Sequence, residues 1–104
     1  MKASFLNKSK NIYVEEIDVP TLDADQVLIR VESVGICGSD VHYYKHGAIG
    51  PYVVEKPIIL GHELSGVITA VGSGVSKERI GSRVAVEPQR ACKACKQCKA
   101  GRYN

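Results

Sequence analysis

Residues 25–36, DQVLIRVESVGI, place Val27, Ile29 and Val31 on one side of the chain and Leu28, Arg30 and Glu32 on the other. A period of two belongs to extended chain with one face buried, because a helix brings apolar residues back every three or four positions. Other segments agree with this. NIYVEEIDV (11–19) reads as a strand broken by Pro20, and PIIL (57–60) is a short apolar run before Gly61. SGVITAVG (65–72) is a further strand, followed by turn chemistry in GSGV, and RVAVEP (83–88) is another, ended by Pro88. Only SDVHYYKH (39–46) and the turn at 77–80 read as helical. The expected class is mainly β with short helices, in a barrel or a sandwich.

A chain of 104 residues makes one small domain. A domain of that size buries only about two-thirds of its unfolded surface, so a metal site would be a useful staple. The segment MKASFLNKSKNIYVEE lacks an apolar run of signal-peptide length, and no stretch reaches the length of a membrane span. The expectation is a cytoplasmic protein with reduced thiols, whose cysteines are metal ligands before they are disulfides.

The basic charge is uneven. Residues 90–104 carry Arg90, Lys93, Lys96, Lys99 and Arg102 with no acid, while residues 1–89 hold nine basic and eleven acidic residues. The basic tail can be read as a nucleic-acid patch. It can also be read as compensation for the three cysteines it surrounds, since cations lower thiol pKa. With Tyr103 the only aromatic residue there, no stacking platform exists and the second reading is preferred.

Two groups of residues have ligand chemistry. Cys37 follows the clearest strand, and His62 and Glu63 follow the PIIL run. Thiolate, imidazole and carboxylate suit zinc, and a catalytic zinc takes three protein ligands and leaves one position open. Gly35, Gly38 and Gly61 would let backbone approach closely there. Taken singly, the cysteine reads equally as a small buried hydrophobe and the His-Glu pair as surface. The second group is Cys92, Cys95 and Cys98. A bacterial ferredoxin run would need a fourth cysteine where Arg102 stands. A thioredoxin-like C-x2-C needs a strand–helix context that Pro88 and the lysine-rich spacing oppose.

The ordered motifs carry a resemblance. GHELSGVITAVGSGV (61–75) fits the zinc alcohol dehydrogenase signature at Gly61, His62, Glu63, Gly66, Gly72 and Val75. With GICGSDVHYYKHGAIG (35–50) and KPIILGHE (56–63), the chain resembles the zinc-containing medium-chain dehydrogenase/reductase superfamily, most closely its sorbitol (L-iditol) and xylitol dehydrogenase branch. The resemblance implies that residues 1–104 are the N-terminal part of a GroES-like catalytic domain, a partial barrel. The Rossmann domain would lie outside this chain, and no G-x-G-x-x-G opens a helix within it.

It also implies site roles. Cys37 and His62 match catalytic zinc ligands. Glu63 is placed on the metal in the polyol branch, whereas in other branches a later cysteine or glutamate takes that place. Asp40 matches the carboxylate that orients the ligand histidine. Ser39 and His42 match proton-relay positions, Ser39 also as a substrate contact, and Tyr43 resembles a tyrosine of the polyol pocket. Glu63 or its neighbouring water is the other route for the proton. Tyr44 and His46 receive no role. Cys92, Cys95 and Cys98 match three ligands of a structural zinc lobe at about 88–104, C-x2-C-x2-C-x7-C, whose fourth cysteine would fall two residues past Asn104.

The implied activity is oxidation of a polyol (sorbitol, xylitol or iditol type) to a ketose. Zinc acts as the Lewis acid and NAD takes the hydride in the absent domain, in a homodimer or homotetramer. The piece alone is expected to be inactive, without nucleic-acid or membrane partners. Threonine dehydrogenase-like and simple alcohol dehydrogenase-like members are the nearest alternatives. From another class, a small zinc-binding module for nucleic acid or protein would use only the tail. Ala48 stands where sorbitol dehydrogenase-like sequences often carry a basic residue, a departure that bears on substrate preference.

Overall fold

A hairpin opens the chain. The computed structural model describes residues 1–103, and in it β1 (Lys2–Lys8) pairs antiparallel with β2 (Asn11–Glu16), Leu6 facing Ile12. β1 was not expected from sequence. Its buried residues are Ala3 and Leu6, three apart rather than two, and its remaining positions are largely lysine, serine and asparagine. β3 (Val27–Gly35) follows, then α1 (Gly38–His46), a small ladder of β4 (Ala48–Ile49) with β5 (Tyr52–Val53), and β6 (Ile58–Ile59), which adds to the free edge of β1. β7 (Glu63–Val71), a 3-10 turn at Lys77–Arg79, β8 (Arg83–Ala85) and α2 (Lys96–Lys99) complete the order. The two larger sheets run β2-β1-β6 and β3-β7-β8.

The helix expected at 39–46 is present, one residue longer at its start, and β7 begins two residues before the expected strand. NIYVEEIDV and RVAVEP give shorter strands, ending at Glu16 and Ala85. The alternation of β3 is not kept. The register slips between Leu28 and Ile29 and again between Val31 and Ser33. The first slip leaves the extra residue, Thr69, on β7, and the second leaves Glu32 on β3, so the faces of β3 exchange only past Glu32. Val27, Leu28 and Ile29 are all half-buried, and Val31 is 49% exposed.

Leu6 and Ile68 are the fully buried large side chains among the described residues, each contributing about 1.5–3 kcal/mol by burial. The accessible surface is 7994 Å², against about 5,700 Å² for a compact monomer of this mass. The radius of gyration is 16.1 Å, against about 13 Å for a compact domain of this length. The difference is an open apolar face. Val34, Ile36, Val41 and Tyr44 line a groove of about 400 Å³ together with Ile12 and Leu60, and Ile36 is 83% exposed.

Candidate metal centre

The β3–β7 ladder builds the site. Gly35, the last residue of β3, is the register partner of Glu63, the first of β7. Whatever follows β3 and precedes β7 must therefore lie at the same end of the sheet. Cys37 stands two residues past β3 and His62 one before β7. Their ligand atoms and that of Glu63 all lie within 4.8 Å of one another. A tetrahedral zinc at about 2.0–2.3 Å from each donor spans donors about 3.5 Å apart, so the three residues fit around one ion and leave a fourth position open. The intervening segment, carrying α1 and β4 to β6, forms one wall.

Asp40 ties the two ligand-bearing segments together. It sits in the first turn of α1, where a carboxylate complements the exposed N–H groups. Its Oδ2 accepts the backbone N–H of Cys37, the N-cap residue, at 3.0 Å. Its Oδ1 lies 3.6 Å from His62 Nδ1. With Nδ1 facing the carboxylate, Nε2 is the nitrogen left for a metal, the arrangement that fixes ring tautomer and orientation in histidine-ligated centres. Asp40 is the buried charged residue among the described residues, and both of its oxygens are engaged at this centre.

Glycines make room at two points. Gly61 has φ +98°, and a Cβ on it would come 2.8 Å from Val34 Cγ1. A left-handed turn there is what swings His62 back onto the end of β7. At Gly35 a Cβ would meet Glu63 Oε2 at 2.8 Å, so the carboxylate rests over the bare backbone of its cross-strand partner. Gly38 differs from expectation: nothing lies within 4 Å of where its Cβ would be, and close approach does not explain it.

His62 borders two cavities. On one side, Gly35, Glu63 and Leu64 line a cleft of about 400 Å³. On the other, Ser39, Tyr43, Ile58 and Leu60 line a pocket of about 210 Å³. The structure thus brings Ser39 and Tyr43 beside His62. His42 does not line either space. It is exposed, and its ring packs against His46 with centroids 4.5 Å apart. The apolar wall from Ile58 to Leu60 was not named among the site residues; its signal was the PIIL run.

The second cluster is local. Cys92, Cys95 and Cys98 have ligand atoms within 4.8 Å of one another, with Cys92 Sγ and Cys98 Sγ 3.5 Å apart. Lys93 at φ 59° helps turn the loop back on itself. Cys92 Sγ accepts the Cys95 N–H and Cys95 Sγ accepts the Cys98 N–H, both at 3.4 Å. Hydrogen bonds from the backbone of Cys95 and Ala94 favour the thiolate and lower the pKa of Cys92 to about 7, with the Cys95 and Cys98 side chains adding to the effect. Three thiolates are three of the four donors of a closed structural zinc site. Beside it, Tyr103 donates its hydroxyl to Glu87 Oε2 at 3.2 Å, and that carboxylate raises the tyrosine pKa.

Comparison with known proteins gives the family and the fold. The family model for the alcohol dehydrogenase GroES-like domain matches residues 23–104. Sorbitol dehydrogenase from Bacillus subtilis (strain 168) is 56% identical over 104 residues, covering 100% of this chain and 30% of that protein. A probable D-xylulose reductase A from Arthroderma otae is 51% identical over 96 residues, covering 91% of this chain and 27% of its own length. The crystal structure of a short chain alcohol dehydrogenase from Escherichia coli CFT073 with cofactor NADH superposes with a TM-score of 0.84 at 40% identity, over 98% of this chain and 28% of that one. The chain therefore spans less than a third of the relatives it matches.

Proposed function

Because the chain belongs to the alcohol dehydrogenase GroES-like domain family, and within it to the sorbitol/xylitol dehydrogenase-like branch, we propose that it is the metal-bearing part of a zinc- and NAD-dependent polyol dehydrogenase. Residues 1–104 form the N-terminal part of a catalytic domain, with a structural-zinc lobe at about 88–104. The open groove along Val34, Ile36 and Val41 is where further chain of a protein of the relatives' length packs. The observation that carries the reading is the convergence of Cys37, His62 and Glu63 within 4.8 Å over a buried Asp40.

A zinc ion bound there would supply Lewis-acid polarisation of a substrate hydroxyl, and NAD, held outside this chain, would supply the hydride acceptor. The chain's own residues do the rest. Cys37, His62 and Glu63 would hold the ion, and Asp40 keeps Cys37 and His62 aligned. Ser39 and Tyr43, on the pocket beside His62, hydrogen-bond the hydroxyls of a polyol. Ser39 Oγ would accept the proton lost on oxidation while passing its own hydroxyl proton toward His42, one turn further along α1, whose ring would release it to water at the exposed surface. Glu63, on the opposite cleft, is the second acceptor within reach. No helix among the described residues is long and apolar enough to cross a membrane, and thiolate clusters suit a reducing compartment such as the cytoplasm. The assembled protein is a homodimer or homotetramer.

The test is a chimera in which this chain replaces the matching 104 residues of the Bacillus subtilis enzyme. It should oxidise sorbitol or xylitol with NAD, and Cys37→Ser in the chimera should lower kcat by about a thousandfold or more. A folded, zinc-loaded chimera that turns over threonine or simple alcohols but no polyol would overturn the substrate assignment. Full turnover after Cys37→Ser would overturn the metal assignment.

A further inference from the structure

Two of the chain's three histidines remain outside the metal centre, and α1 sets them one turn apart. His42 and His46 are four residues apart on a nine-residue helix, the spacing that brings side chains onto one face. Their ring centroids are 4.5 Å apart and the planes are tilted by 44°. Both are exposed, and neither ring takes part in a side-chain hydrogen bond or ion pair among the described residues.

The backbone beneath them is braced. Gly47 closes the helix in the left-handed conformation, donating its N–H to Tyr43 O at 2.8 Å. The β1–β2 turn holds the last turn from outside. Lys10 N–H donates to Tyr44 O at 2.7 Å, and Ser9 Oγ donates to Lys45 O at 2.7 Å. The two imidazoles are therefore carried at a set separation rather than on a fraying end.

We infer that His42 and His46 form a two-imidazole chelate for a borderline divalent transition ion, separate from the Cys37 centre and from the three-thiolate loop. Imidazole nitrogen suits Ni²⁺, Cu²⁺ and Zn²⁺ and excludes Mg²⁺ and Ca²⁺, which take oxygen ligands. Rings with centroids 4.5 Å apart on exposed side chains can rotate to bring one nitrogen each to an ion at metal–nitrogen bonds of about 2.0–2.1 Å. Paired histidines one helical turn apart are a recurrent zinc-binding arrangement for this reason. With two protein ligands and water in the remaining positions, the site is weaker than either thiolate cluster, so it fills last. Its ion would occupy the His42 ring and remove that ring from any proton path.

The test loads the chain with zinc until both cysteine clusters are saturated, then titrates Ni²⁺ while the histidine ring resonances are followed by NMR. His42 and His46 should broaden together at one midpoint. His42→Gln and His46→Gln, at exposed helix positions that glutamine tolerates, should each raise that midpoint about tenfold or more. Cys92→Ser should leave it in place. Equal midpoints in the wild type and His46→Gln, or broadening confined to His62, would overturn the inference.

Discussion

The two donor clusters are built in opposite ways. Cys92, Cys95 and Cys98 come from seven consecutive residues, and the turns among them supply the hydrogen bonds that hold the sulfurs. Cys37 lies 25 positions before the adjacent His62 and Glu63. They meet only because β3 and β7 pair in one register and because Asp40 spans the gap. A local cluster needs a loop and a metal. A distributed one needs the fold first, and it leaves cavities on both sides of its histidine where a substrate could enter.

That contrast can be broken most directly at Asp40. Asp40→Ala removes the acceptor for the Cys37 N–H and the partner of His62 Nδ1. Zinc affinity at the distributed centre should fall about 10–100-fold, as loss of an orienting partner does elsewhere. Competition with a chelator checks this, and the three-thiolate loop should hold its zinc as before. Equal losses at both clusters would mean that they are coupled.

Gly61→Ala should cost about 1–3 kcal/mol of stability, because the +98° φ strains any side chain and the new Cβ meets Val34. A urea midpoint in the zinc-loaded chain reads it. A variant as stable as the wild type would remove the turn from the account.

How far the site could be read from the residues follows the same division. The three-thiolate loop was fully legible, because spacing within one short segment defines it. Cys37, His62, Glu63 and Asp40 were legible as residues through the motifs that contain them. Their convergence on one ion was expected only through the resemblance, since it depends on Gly35 facing Glu63 across the β3–β7 ladder, which the residues taken singly do not show. The bulge at Glu32 also interrupts β3, where unbroken alternation was expected. β1 was missed because its two buried residues sit three apart among polar ones. The pairing of His42 with His46 was available as i, i+4 spacing within the expected helix, but it had been divided between a relay role and none.

A smaller effect sharpens the comparison at the local loop. In the metal-free chain Cys92 should alkylate with a half-maximal rate near pH 7. Denaturant should raise that midpoint toward an ordinary thiol at about 8.5. The sign follows from the lowered pKa. The loop geometry favours the thiolate, so this stabilisation is complete above the unfolded value and is lost as pH falls through about 7. A midpoint that denaturant does not move would mean that the backbone N–H groups do not hold the sulfur. Smallest of all, Tyr103→Phe should leave the urea midpoint unchanged, because its hydrogen bond to Glu87 is exposed.

The central claim is that Cys37, His62 and Glu63 hold one ion independently of the cysteine loop. Cobalt titration of the wild type and Cys37→Ser, read by native mass spectrometry and visible absorption, tests it most directly. The wild type should take up one ion at each cluster, and Cys37→Ser should lose one ion together with the absorption of the mixed sulfur, nitrogen and oxygen site. A Cys37→Ser chain that binds the same number of ions with an unchanged spectrum would contradict the account.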